Sequence, residues 1–256
     1  MEATSEQTFI ATSRSDNWWL GPLSVAVGLG LFGVYSLWAA FQGNFYQWPL
    51  NPLPEHHPTY LSPFYSPLIL FKWWKFSPAF LILWIPLGFR ATCYYFRKAY
   101  YRSFFLTPPA CAVKISKGSD YKGETSFPFI LQNIHRYFMY LAVALLVVLW
   151  IDVIRAFNFD GKFGMGVGTV ILIIDNFLLS LYVFSCHSVR HMIGGRLKCF
   201  SACSASGSLQ HKAWGTVSCL NPSHMVWAWT SLLTVGLADL YIRLVAMGII
   251  HDMRLF

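Results

Sequence analysis

The chain has 256 residues, 55% hydrophobic and 12% charged, with a mean hydropathy of +0.46 and a formal net charge of +8. A soluble domain usually carries about 25% charged residues, so this composition excludes an ordinary soluble globule and points to a membrane protein. The positive charge would suit nucleic acid or anionic lipid, but no motif that reads nucleic acid is present.

Residues 1–19 form a polar segment that includes Glu2, Glu6, Arg14 and Asp16. The apolar run that follows is too long for the core of a cleavable signal peptide. The first helix is therefore expected to stay and act as its own insertion signal. A bilayer core takes about 20 mostly apolar residues per helix. Five stretches qualify: about 20–41, 76–96 with Pro86 as a kink, 137–154, 164–184 with an extension to 191, and 225–249. The expected fold is an all-α integral membrane protein, a five-helix bundle that makes one transmembrane domain over 20–256.

Orientation follows from the basic residues. Between the second and third helices lie Arg90, Arg97, Lys98, Arg102, Lys114, Lys117, Lys122 and Arg136. Between the fourth and fifth lie Arg190, Arg196, Lys198 and Lys212, with no acidic residue. The positive-inside rule places the N-terminus and both loops in the cytoplasm and the C-terminus outside. All six cysteines fall at or near that cytoplasmic face, where thiols stay reduced, so disulfides are not expected. The outer loop over 43–77 is rich in proline and aromatic residues and is expected to pack as an ordered cap. Its His56 and His57 read as solvated loop residues.

Potential ligands gather at the cytoplasmic level. Cys93 ends the second helix, Cys111 follows in the loop, His135 opens the third helix, and His224 opens the fifth. The stretch Ser185-Cys186-His187-Ser188-Val189-Arg190-His191 closes the fourth. His187 and His191 are one helical turn apart and face one point if the helix continues. Sulfur with imidazole suits transition-metal or iron–sulfur chemistry, and structural zinc shares the preference. Cys199, Cys203, His211 and Cys219 lie in a polar, serine-rich loop and read as bystanders. No histidine lies in the outer half of any helix, which excludes two stacked haems. Charges inside the helices are costly and so paired or functional. Asp239 and Arg243 are one turn apart and spaced to pair, and Asp152 and Arg155 close the third helix at its outer side. Asp175 lies eleven residues before Cys186, about three turns, and reads either as part of a proton route or as a carboxylate bonded to a neighbouring helix.

Several stretches together resemble one family: Phe89-Arg90-Ala91-Thr92-Cys93-Tyr94-Tyr95-Phe96-Arg97-Lys98, Thr107-Pro108-Pro109-Ala110-Cys111, Gln132-Asn133-Ile134-His135-Arg136-Tyr137, the 185–191 stretch, and Leu220-Asn221-Pro222-Ser223-His224-Met225. They look like the single-chain, five-helix membrane anchor of succinate dehydrogenase, respiratory complex II. The nearest branch carries a Rieske-type [2Fe–2S] cluster inside the membrane in place of haem. The resemblance runs from about Tyr60 to Phe256.

This resemblance implies a multi-pass protein of the cell membrane, part of the respiratory chain and the tricarboxylic acid cycle. It implies that flavoprotein and iron–sulfur subunits dock on the cytoplasmic face and that electrons pass onward to quinone. Lipids surround the anchor. The cluster ligands are expected to be four of Cys93, Cys111, His187, His191 and His224, with Cys186 and His135 in reserve. Val189 stands where members of the family often have a further cysteine. A single b-type haem, structural zinc, or no metal are the alternatives. Quinone needs an apolar, aromatic slot with hydrogen-bond donors. His135, Arg136, Tyr94 and Trp227 are placed for one, and a site under the proline-rich outer loop is the other possibility.

Overall fold

The computed structural model describes residues 10–50, 59–115, 129–159, 161–195 and 205–256. His56, His57, Cys199 and Cys203 lie outside the described residues. The helices are α1 Leu20–Gln42, α2 Phe80–Ala91, α3 Tyr94–Phe104, α4 His135–Arg155, α5 Val167–Phe184, α6 His187–Gly194, α7 Ala205–Leu220 and α8 His224–Ala246. Four stretches are long and apolar enough to cross a membrane: Leu20–Gln42, His135–Arg155, Val167–Phe184 and Leu209–Ala246. The helix expected over 76–96 is the exception. α2 has 12 residues and Pro86 inside it, which gives about 18 Å at 1.5 Å per residue. Its continuation breaks at Thr92 and resumes as the polar α3. The long helix expected over 164–191 breaks as well, into α5 and α6. The described chain is thus mostly helical, with four candidate membrane spans.

Two compact units divide the chain, residues 1–34 with 90–134, and residues 35–89 with 135–256. In the first unit a two-residue strand, Ile10–Ala11, pairs antiparallel with Lys114–Ile115. Arg14 pairs with Asp16, and its Nη1 donates to the Cys111 carbonyl at 3.1 Å. Cations meet the rings of α3: the Arg97 guanidinium lies 5.4 Å from the Tyr94 ring, and Arg90, in the last turn of α2, lies 5.5 Å from Phe96.

In the second unit α5 packs along α8 and against α4. The core at one end is Tyr60, Val153, Ala156, Phe159, Leu172, Ala238 and Ile242. Loop residues 59–66 are buried over it, as the expected cap. Three carboxylates hold the cap by its hydroxyls. Asp239 on α8 accepts from Ser62 and from Tyr35. Asp152 on α4 accepts from Ser66 and pairs with Arg155 at 3.2 Å. Asp252, in the C-terminal tail, accepts from Tyr60 at 2.6 Å, Tyr241 at 2.7 Å and the Gly168 backbone N–H at 2.9 Å. The last bond fills an orphan donor in the first turn of α5. A side chain at Gly168 would meet the Tyr60 ring at 2.7 Å, so the loop sits directly on the helix.

The Asp239–Arg243 pairing inferred from spacing is present, and the structure adds a pairing of Asp152 with Arg155. Polar groups of an apolar bundle must find partners inside the protein. Here the proline-rich loop supplies them, because its backbone is barred from helix and its hydroxyls remain available.

Candidate functional site

The opposite end of the second unit holds the histidines and the buried cysteine. α5 ends at Phe184, Ser185 caps it, and Cys186 adopts an extended backbone (φ −63, ψ 138) before α6 begins at His187. The break buries Cys186 to 2% exposure and turns its thiol toward α4. There His135 Nε2 stands 3.2 Å from Cys186 Sγ. The His135 ring also hydrogen-bonds the Phe89 backbone, the kind of second contact that fixes the orientation of a ligating imidazole.

A file of rings in contact runs from there. His135 lies 4.8 Å from Phe89, nearly parallel at 7°. Phe89 lies 5.2 Å from Tyr182, and Tyr182 lies 5.1 Å from His224. His224 is 2% exposed, and its Nδ1 is 2.7 Å from the Ser185 hydroxyl. Asn221 Nδ2 donates to the Ser185 carbonyl at 2.8 Å. The start of α8 is thereby tied to the end of α5.

His187 and His191 are both on α6 and exposed, with their Nε2 atoms 2.9 Å apart. The expected one-turn spacing holds, although the helix carrying it is separate from α5. Burial, then His191, then Arg190 hold the His187 pKa below its ordinary value. The neutral imidazole, the form that binds metal, therefore prevails at neutral pH. Arg190 points away from the pair. It donates to Ser218 Oγ at 3.0 Å and lies 5.2 Å from the Trp214 ring, which fastens α6 to α7.

The other expected site residues are placed as follows. Cys93 is 2% exposed and precedes α3 in an extended backbone (φ −68, ψ 130). Cys111 is exposed in a turn. Both belong to the first unit. Tyr94 is 61% exposed on α3, and Arg136 is exposed on α4. Trp227 has a buried indole N–H with no hydrogen-bond partner among the described residues. Asp175 is fully buried and accepts from Thr234 Oγ1 at 2.8 Å. The helical face expected to link Asp175 to Cys186 is not continuous, because the turn at Ser185–Cys186 resets the phase.

Phe89, Tyr182 and Ser185 join these residues together; Phe89 and Ser185 stand in the stretches that carry the family resemblance, whereas Tyr182 is one of 13 tyrosines and carried no signal in the sequence. Among the described residues no group of three or more His, Cys, Asp or Glu is gathered at metal spacing. The donors stand instead as two pairs, His135 with Cys186 and His187 with His191. Sulfur beside imidazole is the donor chemistry of a Rieske-type centre or of zinc, and in that respect these residues fit.

A family model for the actinobacterial succinate dehydrogenase subunit SdhC matches residues 20–248. The chain belongs to that family. It is a subunit of succinate dehydrogenase, a respiratory enzyme, and a multi-pass membrane protein that associates with the other subunits of that enzyme. A solved structure, the Mycobacterium smegmatis Sdh1 complex in the apo form, contains a similar chain. The two are 42% identical, with a TM-score of 0.82 over 96% of this chain and 94% of that one. Comparison with curated proteins finds no match. In this SdhC-type subunit His135, Cys186, His187, His191 and His224 lie at the end of the second unit opposite the proline-rich cap.

A second space exists at that capped end. A cavity of about 240 Å³ is lined by Leu61, Pro67, Leu68, Val148, Asp152 and Arg155. It lies under the loop where the sequence allowed an alternative quinone site.

Proposed function

We propose that this SdhC-type subunit passes electrons from the iron–sulfur subunit of succinate dehydrogenase, through a membrane [2Fe–2S] centre, to quinone. The observation that carries the proposal is the 3.2 Å approach of His135 Nε2 to Cys186 Sγ at a helix break, followed at once by the His187–His191 pair. Cys186 and His135, reserves on sequence grounds, move to the front. His187 or His191 supplies the second imidazole. The second thiolate stays with Cys93 or Cys111 on the sequence argument. His224 stays in the set: Ser185 holds its Nδ1, which leaves Nε2 as its ligating atom.

When bound, such a centre supplies a one-electron relay between the soluble iron–sulfur chain and a two-electron acceptor. The residues of this subunit hold it, bury one side of it, and present donors to the quinone. The flavoprotein and iron–sulfur subunits dock on the lysine- and arginine-rich face, taken as cytoplasmic, and quinone binds near the same level. Trp227 offers a desolvated N–H to a quinone carbonyl. Arg136 and Tyr94 complete the donor inventory, with the His135 ring committed to the cluster and to the Phe89 backbone. Asp175 is the proposed proton-carrying group. The cavity under the cap supports a second reading, in which quinone binds at the far end with Arg155 as donor.

Low-temperature electron paramagnetic resonance of the purified, dithionite-reduced complex tests the cluster, with iron and zinc counted on the same sample. A Rieske-type signal of average g below 2, with iron above the complement of the soluble subunits, is the expected result. Sharp reduced-haem bands, or zinc without that signal, would sink the cluster and leave the anchor. Trp227→Phe separates the two quinone readings. Loss of one hydrogen bond costs about 1.4 kcal/mol, so the KM for quinone should rise about tenfold. Succinate oxidation with an artificial acceptor should not change. An unchanged KM would move quinone to the cavity under the cap.

A further inference from the structure

The segment 70–76 follows the cap loop and precedes α2. Its position is fixed by contacts at the end of α1. Tyr65 donates its hydroxyl to the Ala39 carbonyl at 2.8 Å, and Ser77 Oγ donates to the Tyr65 hydroxyl at 3.2 Å. Phe80 meets Phe41 edge-on at 5.0 Å. The segment therefore lies beside the end of a candidate membrane span.

The segment turns its rings outward. Trp73 and Phe76 are each 69% exposed and Phe71 is 46% exposed. The rings are nonetheless ordered. Phe71 stacks on Trp73 at 5.3 Å, and Trp74 donates its backbone N–H to the Phe71 carbonyl at 3.1 Å. Trp74 Nε1 closes the turn on the Ser77 carbonyl at 3.2 Å. A ring cluster this exposed is unfavourable in water but favourable in the interfacial belt of a bilayer.

Lys72 and Lys75 project from the same turn and are exposed. Neither has an ion-pair partner among the described residues. The sequence offers none nearby, for no acidic residue occurs between Glu55 and Asp120. Two unneutralised cations among interfacial rings complement a head group that bears net negative charge. A zwitterionic head group brings its own ammonium and leaves nothing for them to neutralise.

We propose that segment 70–76 is a docking surface for anionic phospholipid, with Lys72 and Lys75 on the phosphate and the Phe71–Trp73 stack at the acyl boundary. The proposal is independent of the cluster and quinone assignments. Its test is native mass spectrometry of the whole succinate dehydrogenase complex, titrated separately with phosphatidylglycerol and phosphatidylcholine of matched chains. Wild type should retain phosphatidylglycerol preferentially. Lys72→Gln/Lys75→Gln should weaken that binding by about thirtyfold, from the contribution of two lysines at an anionic surface, and leave phosphatidylcholine unchanged. Trp73→Ala should weaken both lipids. Both lysines are solvent-exposed, so these variants fold, and Lys72→Glu/Lys75→Glu should reverse the preference. Equal retention of phosphatidylglycerol by wild type and the double glutamine variant would overturn the proposal. So would protection of Lys72 and Lys75 from amine acetylation in lipid-free complex, which would give the patch to a protein partner.

Discussion

Replacing His187 and His191 together with alanine is expected to abolish quinone reduction by the complex. Succinate oxidation with an artificial acceptor should continue at the wild-type rate. The two readouts divide because the flavin chemistry belongs to another subunit, whereas transfer to quinone passes through this one. Loss of a partner behind a metal ligand typically costs 10–100-fold in metal affinity or activity. Loss of the ligand itself should therefore cost about a hundredfold or more. Stability should hardly move, because both imidazoles are exposed on α6 and exposed substitutions usually stay within about 0.5 kcal/mol. The single variants decide which imidazole ligates. If His187 alone does, His187→Ala reproduces the double variant and His191→Ala keeps most activity. Quinone reduction that survives the double variant would remove α6 from the electron path. The paramagnetic signal should disappear with the activity, which separates lost transfer from lost docking of the soluble subunits.

The parts of this molecule that were legible in the sequence share a physical origin. Long apolar runs reach the bilayer length by themselves, and α1, α4 and α8 begin and end close to where hydropathy places them. Charge spacing was equally direct: Asp239 and Arg243 lie on one helical face whatever surrounds them, and they pair. What escaped was decided by packing. Hydropathy averages over a window and does not see a turn of two residues, so the breaks at Thr92–Cys93 and Ser185–Cys186 were read as continuous helix. Those breaks bury Cys93 and Cys186 to 2% exposure each. The second break also moved the site, because it swings the Cys186 thiol onto His135 and gives the histidine pair a helix of its own. α7 was missed because its serines and glycines favour loops when read alone; its helix is held by tertiary contacts such as Arg190 on Trp214. Tyr182, which carries the ring file from Phe89 to His224, had no local signal of any kind.

The buried pair at the capped end carries the second large effect. Arg243 is 1% exposed and donates from Nε to Asp239 at 2.7 Å, from Nη1 to the Asn44 carbonyl at 3.0 Å, and from Nη2 to the Ala39 carbonyl at 2.9 Å. The Trp38 and Tyr65 rings flank its guanidinium at 5.7 and 5.6 Å. Asp239 is fully buried and also accepts from Ser62 and Tyr35. One ion pair thus joins α8, the end of α1 and the cap. Removing either partner leaves an uncompensated buried charge, so Arg243→Met and Asp239→Asn should each destabilise by about 3–5 kcal/mol. The double variant leaves no charge behind. The introduced amide oxygen would still accept from one of the two hydroxyls, which meet different carboxylate oxygens, and the Ala39 carbonyl keeps the Tyr65 hydroxyl as donor; the remaining penalty is that of the other hydroxyl and the Asn44 carbonyl left without partners, about 1–3 kcal/mol each. The double should therefore be no worse than either single variant, far from the sum of the two. Thermal unfolding of the complex in detergent measures this, with the cycle closed on all four proteins. Additivity within about 0.5 kcal/mol, as for independent sites, would mean that the pair does not act as one unit and that the cap is held by its hydroxyl contacts alone.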